Sequence, residues 1–218
     1  MTRSATASTP TPAVLLPGAA GAGTPGRRER HKARTRRSLE EAALRLFARR
    51  GFDDTTIEDI TDAADVSPRT FFRYFASKED VLFADHAQQI QRFADALSTR
   101  PADEPVLASI TEALLTLADD YEEKRERYLL RFRLLASAPG VAAHGMELQV
   151  KIVDVVASFV AERLGLDPSG DLRPVLVGQV TVGALAAATN IWSTGTSDRS
   201  LPELVRQSLE LTAHGLGV

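Results

Sequence analysis

The chain contains no cysteine, which excludes disulfides, thiolate metal sites, iron–sulfur ligation and thiol nucleophiles together. That absence accords with a reducing compartment, and a cytoplasmic location is expected. No uninterrupted apolar run approaches the ~20 residues that cross a bilayer, so no membrane association is expected. Aromatics are scarce, at 6% of 218 residues with one tryptophan, Trp192. The four histidines (His31, His86, His144 and His214) fall in no metal-ligand spacing. There is no phosphate loop and no nucleophile elbow, and the run from Gly18 to Gly23 lacks both the spacing of a dinucleotide loop and a preceding strand. Neither a metal, a cofactor nor an enzymatic activity is therefore expected.

What is present is an ordinary globular composition, 44% hydrophobic and 25% charged. A chain of this length buries roughly 70% of its unfolded surface. The formal charge of -3 conceals an asymmetry. Residues 27–78 carry 13 basic and 9 acidic side chains, whereas residues 79–218 carry 12 basic and 20 acidic ones. Seven of the basic residues lie between Arg27 and Arg37, beside one acid, Glu29. A basic segment on an acidic body points to a polyanion met by one part only. The acidic body argues against a sequence-nonspecific architectural DNA protein.

Residues 1–26 are mostly Thr, Ser, Ala, Gly and Pro, and read as a disordered tail. A basic arm, 27–37, follows. The rest reads as all-α, with about nine helices and no period-2 segment. Residues 34–80 form a candidate DNA-binding domain and residues 81–218 a helical body.

The first helix ends at Gly51, and Thr55 or Thr56 caps a short second one. Ser67 caps a third, with Pro68 at its first position. Ser77 and Asp80 open a fourth that runs to Pro101. Later helices are expected near 104–120, 124–137, 141–164, 174–194 and 202–215. Two short helices joined by a tight turn, the second rich in Arg, Thr and aromatics, describe a helix-turn-helix. Phe71 and Phe75, four apart, can dock the third helix while Arg69, Thr70, Arg73 and Tyr74 face outward. Arginine reads guanine edges bidentately, and threonine bonds bases or touches thymine methyls. Pro68 and Phe72 offer apolar contacts. Lys78, opening the fourth helix, is expected on phosphate. The basic arm, Arg34 and Arg36 included, is expected in a minor groove or along phosphates.

The segment Ala43–Leu82 resembles the DNA-binding region of TetR-family one-component transcription regulators. The points of resemblance are Leu46-Phe47, Gly51-Phe52, Thr55-Thr56-Ile57, Ile60, Ala63-Ala64, Val66-Ser67, Thr70-Phe71, Tyr74-Phe75 and Ser77-Lys78-Glu79. The T-F-F-R-Y-F version looks most like actinobacterial members. The resemblance implies DNA contact by Thr56 and Ser67 along with the residues above. It departs from the common pattern at Asp65 and Phe72, where many members have Gly and Tyr. It also implies a homodimer on a pseudo-palindromic duplex operator, joined through the last two long helices, and a repressor released by a small-molecule effector in the body. An activator, or control by a protein partner, is the alternative.

Small residues of the expected 174–194 helix (Gly178, Gly183, Ala184, Ala186, Ala187, Ala188) and the final apolar stripe (Leu201, Leu204, Val205, Leu209, Leu211, Leu216) are candidates for the dimer contact. Candidate effector contacts are Phe93, Leu117, Tyr121, Tyr128, Phe132, Phe159, Gln179, Asn190 and Trp192. The body shows no basic cluster in its apolar stretches, which points to a neutral or apolar effector. His86 is a candidate for coupling body to head.

Overall fold

A computed structural model describes residues 26–215. The expected disordered tail, Gly26 apart, and Leu216 of the final stripe lie outside the described residues. Ten α-helices and no strand occur among the described residues. The head comprises α1 (Arg27–Arg50), α2 (Ile57–Ala63) and α3 (Pro68–Phe72). Then come α4 (Lys78–Leu82), α5 (His86–Ser98), α6 (Val106–Glu123), α7 (Arg125–Ser137), α8 (Pro139–Leu164), α9 (Arg173–Thr194) and α10 (Leu201–His214).

The basic segment 27–37 is helical and continuous with α1. Between Gly26 and Gly51 there is no helix breaker, and Arg, Ala, Leu and Glu are good helix formers. Glu29 and Lys32 pair across one turn at 3.1 Å. The basic arm is thus a helical extension of α1.

Caps define the next two helices. The Thr56 hydroxyl accepts from the Asp59 amide, and the Asp59 carboxylate accepts from the Thr56 amide, a reciprocal capping box. The Ser67 hydroxyl accepts from the Thr70 amide, ahead of Pro68. Between them Asp65 takes a left-handed conformation, φ 54°. It alone among the described non-glycine residues has positive φ.

The expected fourth helix is broken. Phe83, at φ -106° and ψ 21°, leaves the helical path, and α5 begins only at His86. No glycine or proline lies between Lys78 and Ser98, so nothing local marks the break. The cause is tertiary. The Leu82 carbonyl accepts from Arg131 Nη2 of α7 at 2.7 Å, while the His86 amide turns to the Phe83 carbonyl. The Phe83 ring is buried, 5.0 Å from the ring of His144.

Two apolar cores result. One joins Phe47, Ile60 and Phe71 of the head and Leu82 of α4 to Leu130 and Leu134 of α7 and Val141 of α8. Truncating a fully buried phenylalanine such as Phe71 costs about 3–5 kcal/mol. The other fills the body around Leu114, Tyr128, Val156, Trp192 and Val205.

Two expectations about the late helices need correction. Leu201, Leu204, Val205 and Leu209 are buried in their own subunit, where α10 packs on α6 and α9; Leu211 alone of the described stripe is exposed. Gly178 serves α8 of the same chain, since a Cβ there would lie 2.8 Å from the Val153 carbonyl oxygen. In addition, α9 is long and apolar enough to cross a membrane, with a mean hydropathy of 1.4. It packs instead between α8 and α10, and its outer face remains apolar.

The α2–α3 turn yields a stability test. Asp65→Gly should change the unfolding free energy by less than about 1 kcal/mol, and Asp65→Val should cost about 1–2 kcal/mol, because a branched Cβ clashes in the left-handed region. Urea midpoints measure both. A valine variant as stable as the parent would refute this turn geometry.

Candidate nucleic-acid interface and effector cavity

Helix α3 has two faces of opposite character. Phe71 and Phe75 are buried, their rings 5.6 Å apart, and pin it to α1 and α2. On the outside Ser67, Pro68, Arg69, Phe72 and Arg73 are exposed, with Phe72 at 56%. Thr70 is half-buried, its hydroxyl 3.1 Å from that of Ser67. The Arg73 guanidinium lies 5.0 Å over the Tyr74 ring and donates to its hydroxyl. An exposed aromatic beside two unburied arginines, on a helix held from behind, suits contact with stacked bases and phosphates.

Other expected contacts are placed differently. Lys78 Nζ turns inward. It donates to the Phe52 carbonyl at 2.7 Å and the Thr55 carbonyl at 3.2 Å, and sits 4.3 Å over the Phe52 ring. It ties the start of α4 to the α1–α2 loop and is not extended toward phosphate. Arg36 points to the head–body junction, donating to the Ala84 carbonyl at 2.5 Å and pairing with Glu40 at 3.3 Å. The Thr56 hydroxyl is engaged with Asp59 at the start of α2. Arg34 is exposed on the helical extension.

Beneath the head lies a buried polar cluster. Arg131, 3% exposed, donates from Nη2 to Leu82 O and to Asp85 Oδ1, the latter at 2.5 Å. The Tyr128 hydroxyl lies 3.0 Å from a carboxylate oxygen of Asp85 and 3.0 Å from one of Asp120, its single proton shared between them. The Gln89 amide donates to Asp85, Asp120 and the Tyr128 hydroxyl. Arg127 bridges Asp85 to Glu40 of α1, at 3.5 and 3.7 Å. Burial drives the Asp85 pKa upward, but Arg131 and Arg127 outweigh it and hold the carboxyl below its usual range. Burial raises the Tyr128 hydroxyl and pushes Tyr121 up to about 12, so both are neutral donors at neutral pH. Arg131, Asp85 and Gln89 escaped the sequence reading, and Asp120, which by sequence reads as part of a solvated helix end, is buried. A charged residue in an amphipathic helix reads as surface until its distant partner is known.

On the far side of this cluster a cavity of about 370 Å³ opens between α7, α8 and α9. Of the expected effector contacts, Tyr121, Phe132 and Asn190 line it. The others do not converge on it. Tyr128 is stacked behind Tyr121, centroids 3.9 Å apart, and belongs to the polar cluster. Phe93 and Leu117 line separate hollows between α5 and α6. Phe159 lies under the Arg163 guanidinium at 4.9 Å, and Gln179 is exposed. Trp192 is buried and donates from Nε1 to Glu122 at 2.8 Å. Missed at the sequence level were Arg131, Gln149, Thr189 and Phe83, all on the wall together with His86.

Comparison with known proteins gives this arrangement its family. A family model for bacterial regulatory proteins of the tetR family matches residues 39–84, and one for the MftR C-terminal domain matches residues 104–217. The transcriptional regulator TcmR of Streptomyces glaucescens is 34% identical over 156 residues, which cover 69% of each chain. MftR of Mycobacterium tuberculosis, a regulator assigned to mycofactocin biosynthesis, is 30% identical over 190 residues, covering 86% of this chain and 93% of the relative. The crystal structure of Thermus thermophilus FadR, a repressor in complex with lauroyl-CoA, superposes with a TM-score of 0.61 at 26% identity, over 84% of this chain and 95% of that one. These relatives are regulators and not enzymes, and regulators of the family bind DNA operators and small-molecule effectors and act as dimers. With a head and a body each matched by its own model, on the fold that carries them, the chain belongs to the TetR family of bacterial transcriptional regulators.

Proposed function

We propose that this protein is a repressor that reads a pseudo-palindromic operator as a homodimer and is released by a small molecule bound in its body. The observation that carries the reading is α3 itself: a short helix pinned by Phe71 and Phe75 with Arg69, Phe72 and Arg73 turned outward. Two such helices, one per subunit, would enter successive major grooves roughly 34–36 Å apart. Arg69 and Arg73 read base edges or phosphates, and Phe72 packs on methyls and sugars. Arg34 and its neighbours on the helical extension of α1 supply phosphate charge.

The dimer surface is better assigned to α8 and α9 than to the last two helices. On α9, Val175, Leu176, Val180 and Ile191 are exposed, and on α8, Met146 and Val150. The outer face of α10 instead carries Arg206, Gln207 and Glu210. An apolar stripe left open on one of the longest helices fits a second copy of the chain, as a two-fold operator requires.

FadR, captured with lauroyl-CoA, supports a small-molecule effector here. A ligand in the 370 Å³ cavity would press on Phe83 and Arg131, which flank the break between α4 and α5. Preferential binding to one packing of this junction shifts the two heads out of register with the operator. Full release requires several kcal/mol of differential affinity between the two states.

Selection of bound duplexes from a random pool should return an inverted repeat; an unstructured pool would overturn specific recognition. On that operator Arg69→Ala should cost about 1–3 kcal/mol and relax one base position. Equal loss on random duplex would move Arg69 to phosphate. Lys78→Ala should cost about 1–2 kcal/mol of stability through its two carbonyl bonds and the Phe52 ring, and leave the salt dependence of DNA binding unchanged. A flattened salt slope would return Lys78 to the interface. In sedimentation, Val180→Glu should give folded monomers and Leu211→Glu should remain dimeric. The opposite pattern would restore the last helix to the interface.

A further inference from the structure

The cavity wall is chemically one-sided. Phe132, Leu135, Ile152 and Leu185 make most of it apolar. Arg131 contributes its one fixed charge, and no carboxylate or lysine lines it. Arg131 is buried, with Nη2 committed to Leu82 and Asp85. Its Nε–H, equally buried, has no hydrogen-bond partner. A guanidinium has five N–H donors in a planar fork, so it can keep its clamp and still serve an oxygen arriving from the cavity. A buried donor left unpaired is a standing cost that such an oxygen removes. A ligand cation, by contrast, would leave water with no acid on the wall to pair it.

We propose that the effector is an amphipathic acid, whose single oxyanion head pairs with Arg131 and whose apolar body lies between α7, α8 and α9. This rests on the reading that the cavity is the effector site, and it replaces the neutral effector expected from sequence. Arg131 then selects the ligand class. Because the same side chain holds the last carbonyl of α4, the acid head acts on the residue that fixes the head–body junction.

Calorimetry on the full-length protein with two matched trios tests the class: decanoate, decanol and decylammonium, and 2-naphthoate, 2-naphthylmethanol and 2-naphthylmethylammonium. In at least one trio the acid should bind about tenfold or more tighter than the alcohol, with the ammonium weakest. Arg131→Gln should bring acid and alcohol to near parity while sparing the alcohol, and Arg131→Lys should keep part of the preference. If the glutamine variant fails to fold, the wild-type ratios and the lysine variant decide. Ala186→Phe, on the cavity wall, should block every binder. Acid binding untouched by Ala186→Phe would fail the cavity reading and the proposal with it. Binding blocked by Ala186→Phe but without acid preference in either trio would overturn the oxyanion class alone. No binding by any of the six would overturn it as well.

Discussion

The structure turns on the Arg131 guanidinium. It is a buried charge, and a buried charge persists only when paired and hydrogen-bonded. Asp85 supplies the pairing, and the Leu82 carbonyl takes a further donor. That carbonyl would otherwise continue the helical ladder. By capturing it, Arg131 ends α4 and lets α5 start in a new direction. Removing Asp85 would strand the guanidinium in a low-dielectric site. Arg127, linking Asp85 to Glu40 of α1, extends the same network into the head.

A recognition helix of five residues cannot be stable on its own account, since nucleation costs more than so few bonds return. Its order is supplied from outside by the Ser67 cap, by Pro68 with its preset φ, and by Phe71 and Phe75 in the core. The division leaves the opposite face free of structural duty, so arginines and an exposed phenylalanine can occupy it. Lys78 belongs to the supporting side. Its ammonium donates to the loop carbonyls of Phe52 and Thr55 where α1 turns into α2.

In the body, α9 is apolar almost all round. Such a helix is covered on every side or lies in a membrane. Within one subunit α8 and α10 cover part of it and Gly178 allows the close approach to Val153. The remaining stripe is the part that dimerisation would cover. The cavity sits between this helix and α7, so a ligand there touches the proposed dimer helix on one side and the α4–α5 junction on the other.

The head was legible in the sequence because its signals are local: caps at Thr56 and Ser67, proline at a first helical position, aromatics four residues apart, and a turn that only a few residue types tolerate. Helix number was close to right for the same reason, as period and punctuation act within a few residues. Tyr121, Phe132 and Asn190 were placed in the cavity wall by aromatic and polar character alone, and the other six candidates went astray on that same criterion. What only the tertiary structure decided rests on partners far apart in the chain. Gln89 meets Asp120 across 31 residues, Lys78 reaches back 26 to Phe52, and Arg131 reaches back 49 to Leu82. Periodicity shows which face of a helix is apolar. It carries no record of which distant carbonyl or carboxylate a long charged side chain will find, and that pairing breaks the fourth helix and sets the charge of the cavity.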